Sequence, residues 1–339
     1  MKKRLAITCG DPAGVGPEIV AAWLAANPSE AREVAVIGPA RWLDGLPEAA
    51  EKIPVGFAEF EAEPGRPDGD GALVAWAALE RAAEGCRAGS CDGVVSGPVS
   101  KGRLASIGWN FPGQTEFFAA RWGGRPVMAF CGGRLRVVLL TWHIPLRAVG
   151  AELSLENFTR TIAAADELVR ADEGAGPRGG LPGSGRGPGR PAQTPVRIGV
   201  CGLNPHAGEA GLIGREEIEV INPILESLRP RFPGLSRAEP GDTVFARQLR
   251  GEFDVAVALY HDQGLAPLKT VDFDESVNVT LNLPFVRTSP DHGTAFSIAG
   301  RGQANARSFT NAVAVARNLL RLRAGGAIPG TAARAGKPK

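Results

Sequence analysis

The residues of this chain that could bind a metal are its histidines. Only four of the 339 residues are histidine, and three of these lie in short polar motifs that directly follow apolar, strand-like runs. The three motifs are TWHIP (141–145) with His143, NPHAGE (204–209) with His206, and YHDQG (260–264) with His261. Open α/β sheets bind ligands just beyond the carboxyl ends of their strands. Three imidazoles placed there predict a divalent-cation site with positions left for a substrate. The alternative is three unrelated histidines that each cap a helix or satisfy a turn.

A second set of polar residues has the chemistry of an anion site. Lys269, Asn278 and Arg287 recur nine residues apart, and the two cations stand in otherwise apolar surroundings. The loop SGPVSK (96–101) adds two hydroxyls and the ammonium of Lys101. Cations, an amide and hydroxyls together suit the phosphate or carboxylate group of a substrate. Solvated surface charges are the alternative explanation for the lysine and the arginine.

Two glycine-rich loops have backbones that a ligand could approach closely. GDPAGVGPE (10–18) joins a predicted strand to a predicted helix, where exposed N–H groups attract anions. A purely structural tight turn would explain the same residues. This loop lacks the GxGxxG fingerprint, so a Rossmann domain is not predicted. DHGTA (291–295), followed by IAGRG (298–302), fits a nucleotide contact.

The elements that must position these motifs alternate along the chain. The predicted strands cover residues 5–8, 34–37, 93–96, 135–140, 196–201 and 254–259. The predicted helices begin at Pro17 and cover residues 72–84, 116–122, 156–170, 216–228 and 309–322. This alternation predicts an α/β fold with a mostly parallel sheet and helices on its faces.

The composition is that of an ordinary globular protein. Hydrophobic residues make up 44% of the chain and the net charge is +2, with no basic stripe, so we expect no nucleic-acid partner. No segment reaches membrane-spanning length, and the first apolar run breaks at residues 9–12, too early for a signal peptide.

The five cysteines lack CxxC spacing, so we expect buried, reduced thiols in a cytoplasmic protein. Residues 174–195 are rich in Gly, Pro and Arg, which predicts a flexible surface insertion.

Together the motifs resemble the 4-hydroxythreonine-4-phosphate dehydrogenase (PdxA) family of the vitamin B6 pathway. The segments that carry the resemblance are GDPAGVGPE (10–18), SGPVSK (96–101), NPHAGE (204–209), GREE (214–217), YHDQGL (260–265) and RTSPDHGTA (287–295). Only residues 174–195 and about the last dozen residues fall outside it.

The resemblance implies a fold similar to isocitrate and isopropylmalate dehydrogenases, with two α/β/α subdomains around a central cleft. It also implies a homodimer with its active site at the subunit interface. We expect residues 1–125 and 290–330 to form the nucleotide-side subdomain. Residues 126–289 are then expected to form the subdomain for metal, substrate and dimerisation.

The resemblance also implies roles for individual residues. His143, His206 and His261 match the divalent-metal ligands, and the third of these reaches the metal of the other subunit. Zn, Mg, Mn and Co are candidates for the metal, and three imidazoles favour Zn or Co. The substrate-binding positions are Gln114, Thr115, Lys269, Asn278 and Arg287. The positions of the adenine-side loop are His292, Gly293, Thr294, Ala295 and Asn305. Either Asp262 or Lys101 would accept the substrate's proton.

The implied reaction is oxidation of a small phosphorylated substrate by NAD or NADP. In this family 4-phosphohydroxy-L-threonine is oxidised and decarboxylated to 3-amino-2-oxopropyl phosphate, for pyridoxal 5'-phosphate biosynthesis. The metal would lower the pKa of the substrate hydroxyl as hydride leaves toward the nicotinamide.

One residue departs from the family pattern. The substrate loop of the family usually reads GHTE, whereas this chain has GQTE at residues 113–116. Histidine can carry a charge to a phosphate and glutamine cannot, while Thr115 and Glu116 are also typical of a helix N-terminus. A paralogue that oxidises a related four-carbon acid phosphate, such as 4-phospho-threonate, or a carboxylated cyclic diol therefore stays open. From other classes, a metal-dependent phosphohydrolase and a non-catalytic phosphometabolite sensor are the alternatives.

Overall fold

The computed structural model describes residues 4–47, 50–173 and 194–325. The chain divides into two compact units, the first made of Met1–Pro126 with Val277–Leu320 and the second of Val127–Ser276 with Arg321–Lys339. The expected insertion at 174–195 lies outside the described residues except for its last two positions.

Strands and helices alternate along the chain. The strands are β1 (Leu5–Thr8), β2 (Val34–Gly38), β3 (Glu51–Pro54), β4 (Gly93–Ser96), β5 (Val127–Cys131), β6 (Val137–Leu139), β7 (Ile198–Cys201), β8 (Leu235–Glu239), β9 (Val255–Ala258), β10 (Val277–Leu281) and β11 (Val286–Pro290). The α-helices are α1 (Gly16–Ala26), α2 (Pro28–Ala31), α3 (Ala40–Asp44), α4 (Gly69–Arg87), α5 (Lys101–Ser106), α6 (Gln114–Trp122), α7 (Leu155–Glu173), α8 (Asn222–Leu228), α9 (Gly241–Leu249), α10 (His261–Asp272) and α11 (Arg307–Ala324). Short 3₁₀ segments cover Leu146–Glu152, Pro205–Gly211 and Phe296–Ile298, and Glu217–Ile221 is a π-helix. The predicted α/β class is confirmed, and each predicted strand and helix is present, β1 and β4 with the predicted ends and the others with shifted ends.

The strands of the first unit run in the order β3-β2-β1-β4-β11-β10. All neighbours are parallel except β10 and β11. Thr8 pairs with Ser96, so β1 and β4 end side by side and deliver their following loops to one place. Because β11 pairs with β4 as well as with β10, residues 277–289 pack in this unit, whereas we expected them in the other.

The strands of the second unit run in the order β5-β6-β9-β7-β8. Only β5 and β6 are antiparallel. Leu139 of β6 pairs with Ala258 of β9, and these two strands precede the loops that carry His143 and His261. The register therefore places both imidazoles at one sheet edge.

Each unit has its own hydrophobic core. In the first unit the aromatic rings of α6 are central, since Phe117 and Phe118 are both fully buried. Phe117 stacks on Trp109 with ring centroids 4.8 Å apart, and Phe118 lies 4.6 Å from Trp122. This packing anchors the helix whose first turn carries the predicted substrate loop.

The five cysteines are buried and none forms a disulfide. Burial raises the pKa of the Cys9, Cys131 and Cys201 thiols to about 12 each, which makes them unreactive. Among residues 4–47, 50–173 and 194–325, no helix combines the length and apolar character needed to cross a membrane.

Phe118→Ala is expected to lower the free energy of unfolding by about 3–5 kcal/mol, because it leaves a cavity beneath α6. Urea denaturation followed by circular dichroism measures this change. Phe57→Ala is the matched control, since its ring is 57% exposed, and it should change stability by no more than about 0.5 kcal/mol. Equal effects of the two substitutions would contradict the assignment of α6 to the core.

Candidate functional site

Arg287 of β11 is the centre of a buried polar network in the first unit. Its Nε and Nη2 donate to Ser96 Oγ over 3.2 and 3.0 Å, and its Nη1 donates to Asn278 Oδ1 over 3.1 Å and to Thr280 Oγ1 over 3.4 Å. The residue is only 3% exposed. Burial lowers the pKa of its guanidinium to about 10, against the attraction of the Glu116 carboxylate. A buried cation whose hydrogen bonds go to neutral groups is suited to receive an anion.

The first turn of α6 lies beside this network. Thr115 is buried, and its Oγ1 lies 3.3 Å from Thr280 Oγ1. Gln114 Nε2 donates to the carbonyl of Gly97 over 3.3 Å. Among the described residues Gln114 Oε1 has no hydrogen-bond partner although it is buried. The structure therefore joins the predicted loops SGPVSK and GQTEF, and leaves one buried acceptor for a ligand to satisfy.

Lys101, the first residue of α5, lies close to the same helix terminus. A Cβ placed on Gly113 would be 3.7 Å from Lys101 Nζ and 3.1 Å from Glu116 Oε2. The ammonium thus lies near the N-terminus of α6, where the helix dipole and the backbone N–H groups favour anions.

The two glycine-rich loops converge in the same unit. Asp11 N donates to Pro98 O over 2.9 Å, and Val15 N donates to Thr294 O over 2.9 Å. Gly10 has φ +74°, and a Cβ there would lie 2.4 Å from Pro98 O, so only glycine fits. GDPAGVGPE is therefore in contact with both SGPVSK and DHGTA.

One ring nitrogen of His292, in the DHGTA loop, is hydrogen-bonded, and the other has no partner among the described residues. Its Nδ1 lies 3.0 Å from Gly293 O, which makes Nδ1 the donor. Its Nε2 is buried and has no hydrogen-bond partner among the described residues. Such a nitrogen can accept a hydrogen bond from a ligand amino group. Asn305, by contrast, accepts from Arg307 N over 3.0 Å at the start of α11, which is a structural capping contact.

Asp11 is a buried carboxyl in the converged loops that the sequence patterns did not single out, although it lies inside GDPAGVGPE. It is 1% exposed and its Oδ1 accepts from Ala13 N over 3.1 Å. Burial raises the pKa of this carboxyl, and the nearby Asp68 carboxylate adds to the rise. Only the buried setting reveals it, because an aspartate in a turn is otherwise a common local feature.

In the second unit, His143 and His261 lie together. Their ring centroids are 5.8 Å apart with an interplanar angle of 34°. Two imidazoles on one zinc, each with Zn–N near 2.0–2.1 Å, would have centroids roughly 5 Å apart. His261 Nδ1 lies 2.7 Å from Asp262 Oδ1. A carboxylate on Nδ1 turns Nε2 toward a metal, so the pair fits a shared cation.

His206 lies in a strained turn of the same unit. Residues 206–210 have φ values of +53°, +53°, +82°, +44° and +54°, and left-handed conformation costs roughly 1–2 kcal/mol for each residue other than glycine. His206 Nδ1 lies 2.8 Å from Glu209 Oε2, the arrangement seen at His261. Across the described part of the chain, however, no three His, Cys, Asp or Glu side chains form a group that could hold a metal. A three-histidine site is therefore not assembled within one copy of the chain.

Lys269 and Asp262 also belong to the second unit. Lys269 Nζ lies 5.6 Å from the ring centroid of Phe273, a residue that is 64% exposed. The side chain of Asp262 is 88% exposed and is hydrogen-bonded to His261. Of the series spaced by nine residues, only Asn278 and Arg287 share the first-unit network.

These features define an α/β protein whose first unit has a buried cation beside glycine-rich loops and whose second has carboxylate-paired imidazoles. The family model for the pyridoxal phosphate biosynthetic protein PdxA matches residues 13–178 and 191–316. The chain belongs to the PdxA family, as the motif resemblance predicted.

Relatives and solved structures agree with this assignment. The 4-hydroxythreonine-4-phosphate dehydrogenase of Thioalkalivibrio sulfidiphilus is 39% identical over 94% of this chain and 97% of the relative. That of Aromatoleum aromaticum is 41% identical over 93% and 96%. The crystal structure of the Klebsiella pneumoniae 4-hydroxythreonine-4-phosphate dehydrogenase has a TM-score of 0.72 and 31% identity, over 94% of this chain and 99% of that one. A terephthalate 1,2-cis-dihydrodiol dehydrogenase from Burkholderia xenovorans LB400 has a TM-score of 0.65 and 25% identity, over 93% and 98%.

Arg287→Met is expected to abolish the stabilisation of the protein by inorganic phosphate while preserving side-chain volume. Ligand that binds the folded state raises the melting temperature, and the buried guanidinium is the group that would pair with the anion. Thermal unfolding in phosphate and in chloride at equal ionic strength measures the difference. Arg41→Met, at an exposed arginine that pairs with Glu59, should keep the wild-type response. A phosphate response retained by Arg287→Met would rule out this anion site.

Proposed function

We propose that this chain is an NAD- or NADP-dependent 4-hydroxythreonine-4-phosphate dehydrogenase. It would oxidise and decarboxylate 4-phosphohydroxy-L-threonine to 3-amino-2-oxopropyl phosphate, in the cytoplasm, as a step of pyridoxal 5'-phosphate biosynthesis. Membership of the PdxA family supports this proposal, since the relatives carry this enzyme name. The observation on which it rests most is the buried Arg287 guanidinium, hydrogen-bonded to neutral groups beside the first turn of α6.

In this proposal the first unit binds the substrate phosphate. Arg287 supplies a fork of donors, and its lowered pKa reflects a cost of burial that a bound phosphate would offset. Asn278 orients the guanidinium through Nη1, and Thr115 offers its hydroxyl from α6. Anchoring the phosphate aligns the carbinol carbon for hydride transfer.

The divalent cation would be held by His143, His206 and His261, drawn from the second units of two copies of the chain. The separation of the His143 and His261 rings and the carboxylates on Nδ1 of His206 and His261 support this role. When bound, zinc or cobalt lowers the pKa of the substrate hydroxyl.

A second copy of the chain would complete the set of ligands, in a homodimer. Large apolar side chains flank two of the histidine motifs and are exposed in the single chain: Ile144 by 39%, Leu146 by 64%, Leu212 by 86% and Ile213 by 49%. Burying such residues against a partner would remove apolar surface from water.

The nicotinamide cofactor would lie against the converged glycine-rich loops of the first unit. His292 Nε2, a buried acceptor with no partner among the described residues, would accept a hydrogen bond from the adenine amino group. The backbone at Gly293, Thr294 and Ala295 would contact the nucleotide, and a Cβ on Gly293 would meet no atom within 4 Å. Asn305 supports the loop by capping α11. When bound, the cofactor accepts the hydride.

Two residues are candidates for moving the substrate proton. The Asp262 carboxylate is hydrogen-bonded to His261, which suits it to orient that imidazole. The ammonium of Lys101 lies near the N-terminus of α6, whose first turn is beside the Arg287 network. We therefore assign proton transfer to Lys101 and the orienting role to Asp262.

A second candidate function follows from Gln114. Its amide is neutral and its Oε1 is a buried acceptor with no partner among the described residues, so it faces a hydrogen-bond donor more favourably than a phosphate oxygen. The second candidate is therefore a paralogue that oxidises a related four-carbon acid phosphate, such as 4-phospho-threonate, and it rests on the departure of this position from the family's histidine.

His206→Ala is expected to abolish NADH formation from NAD and 4-phosphohydroxy-L-threonine while the melting temperature stays close to wild type, because an exposed ligand rather than core volume is lost. NADH absorbance measures turnover, with and without a chelator. Release of inorganic phosphate without NADH would indicate the phosphohydrolase instead. Full activity of His206→Ala after metal-free preparation would remove His206 from the site.

Gln114→His is expected to lower KM for 4-phosphohydroxy-L-threonine, because a charged hydrogen bond contributes roughly 1–3 kcal/mol. The gain requires the imidazolium, so it is present at low pH and lost as pH rises through the imidazole pKa, about 6.5 if unperturbed. Steady-state kinetics at pH values below and above this pKa, on a panel that includes 4-phospho-threonate, measure the effect. Gln114→Leu controls for loss of the amide without a charge. An unchanged profile across the panel for both variants would show that position 114 does not contact the substrate.

A further inference from the structure

The turn that carries His206 is left-handed, which is unusual for residues other than glycine. Residues 206–210 all have positive φ, and four of these five residues are not glycine. In a helix with three residues per turn, side chains three positions apart lie in line. The left-handed turn therefore brings the Glu209 carboxylate onto His206 Nδ1, at 2.8 Å. An extended backbone would not align these two side chains.

A buried carboxylate holds the residues just before this turn, and the exposed Glu216 adds one bond, since its Oε2 accepts from Asn204 Nδ2 over 2.7 Å. Glu217, the first residue of the π-helix, is 1% exposed. Its Oε1 accepts from Leu203 N over 2.7 Å and from Asn204 N over 2.8 Å, and its Oε2 accepts from Asn204 Nδ2 over 3.0 Å. These bonds tie the segment that leads into the turn to an element fourteen residues later along the chain.

The turn itself packs directly against the same carboxylate. A Cβ on Gly208, at φ +82°, would lie 2.7 Å from Glu217 Oε2 and 2.7 Å from Gly214 O. A Cβ on Gly202 would lie 3.1 Å from Glu217 Oε1 and 2.9 Å from Ala207 Cα. Glu217 thus contacts the chain on both sides of His206, and the close packing leaves the turn no room to relax.

We propose that Glu217 is the positioning residue of the His206 metal ligand. Its carboxylate holds residues 203–208 so that the chain stays left-handed, and the left-handed turn pairs His206 with Glu209 and presents Nε2 to the cation. This inference rests on the proposed function, because it takes His206 as a ligand. Glu217 acts through the backbone and touches neither metal nor substrate.

Zinc titration of the metal-free, full-length protein tests the proposal. Glu217→Ala is expected to weaken zinc binding about 10–100-fold, the usual effect of removing a group that orients a ligand. Glu217→Gln keeps one acceptor oxygen for the two backbone N–H groups and should retain most of the affinity. Competition with a chromophoric chelator measures the dissociation constants. Hydrogen exchange at the Leu203 and Asn204 amides directly reports the loss of their hydrogen bonds to Glu217.

Two further variants separate the inference from its premise. Glu219→Ala is the matched control, since Glu219 belongs to the same π-helix but is 56% exposed and pairs with Arg215, so zinc affinity should not change. His206→Ala should lose affinity if His206 is a ligand. Wild-type zinc affinity in Glu217→Ala, together with loss in His206→Ala, overturns the inference and leaves the metal site standing.

The remaining outcomes are also decisive. Wild-type affinity in His206→Ala overturns the metal site itself, and the inference with it. If Glu217→Ala does not fold, as judged by circular dichroism, Gly208→Ala replaces it. That substitution keeps the carboxylate but strains the turn, and it should weaken zinc binding by a similar factor. A folded Gly208→Ala protein with wild-type zinc affinity would overturn the proposal equally.

Discussion

The burial of one guanidinium organises the first unit of this protein. Arg287 lies on β11, between β4 and β10, so its charge is enclosed by the sheet and by the first turn of α6. Removing a cation from water is costly, and the lowered pKa of Arg287 records that cost. Ser96, Asn278 and Thr280 satisfy its N–H groups, but as neutral partners they do not compensate its charge. The Glu116 carboxylate attracts this charge but leaves the pKa lowered, so an anionic ligand such as a phosphorylated substrate would compensate the charge further.

In the second unit the candidate site is characterised by strained backbone rather than by a buried charge. His143 has φ +51° and His206 has φ +53°, both in the left-handed region, and His206 and His261 each pair with a carboxylate. Strain of this kind persists only where surrounding contacts impose it. At His206 those contacts centre on Glu217. Part of the folding free energy of this unit therefore goes into the direction of its imidazoles, which suits the metal-ligand role proposed for them.

Family membership and the departure at Gln114 bear on different questions. Membership rests on a match along nearly the whole chain, and it supports the reaction class. A glutamine amide beside Gly97, with one buried acceptor atom, bears on which substrate is preferred. A solved relative named for a cyclic dihydrodiol has a TM-score of 0.65 to this chain, so similar backbones occur in dehydrogenases named for different substrates.

The sequence by itself determined the α/β class, the predicted strands and helices, the family and the segments that carry polar chemistry. These follow from local patterns, because hydrophobic periodicity and turn residues act over a few neighbouring positions. It predicted that SGPVSK, GQTEF and the region of Arg287 would belong to one site, and the first unit brings them together. It did not place residues 277–289 in the first unit, find the burial of Asp11, or reveal the left-handed turn held by Glu217. Those features depend on strand pairing and on contacts between residues distant in the chain, which only the tertiary structure decides.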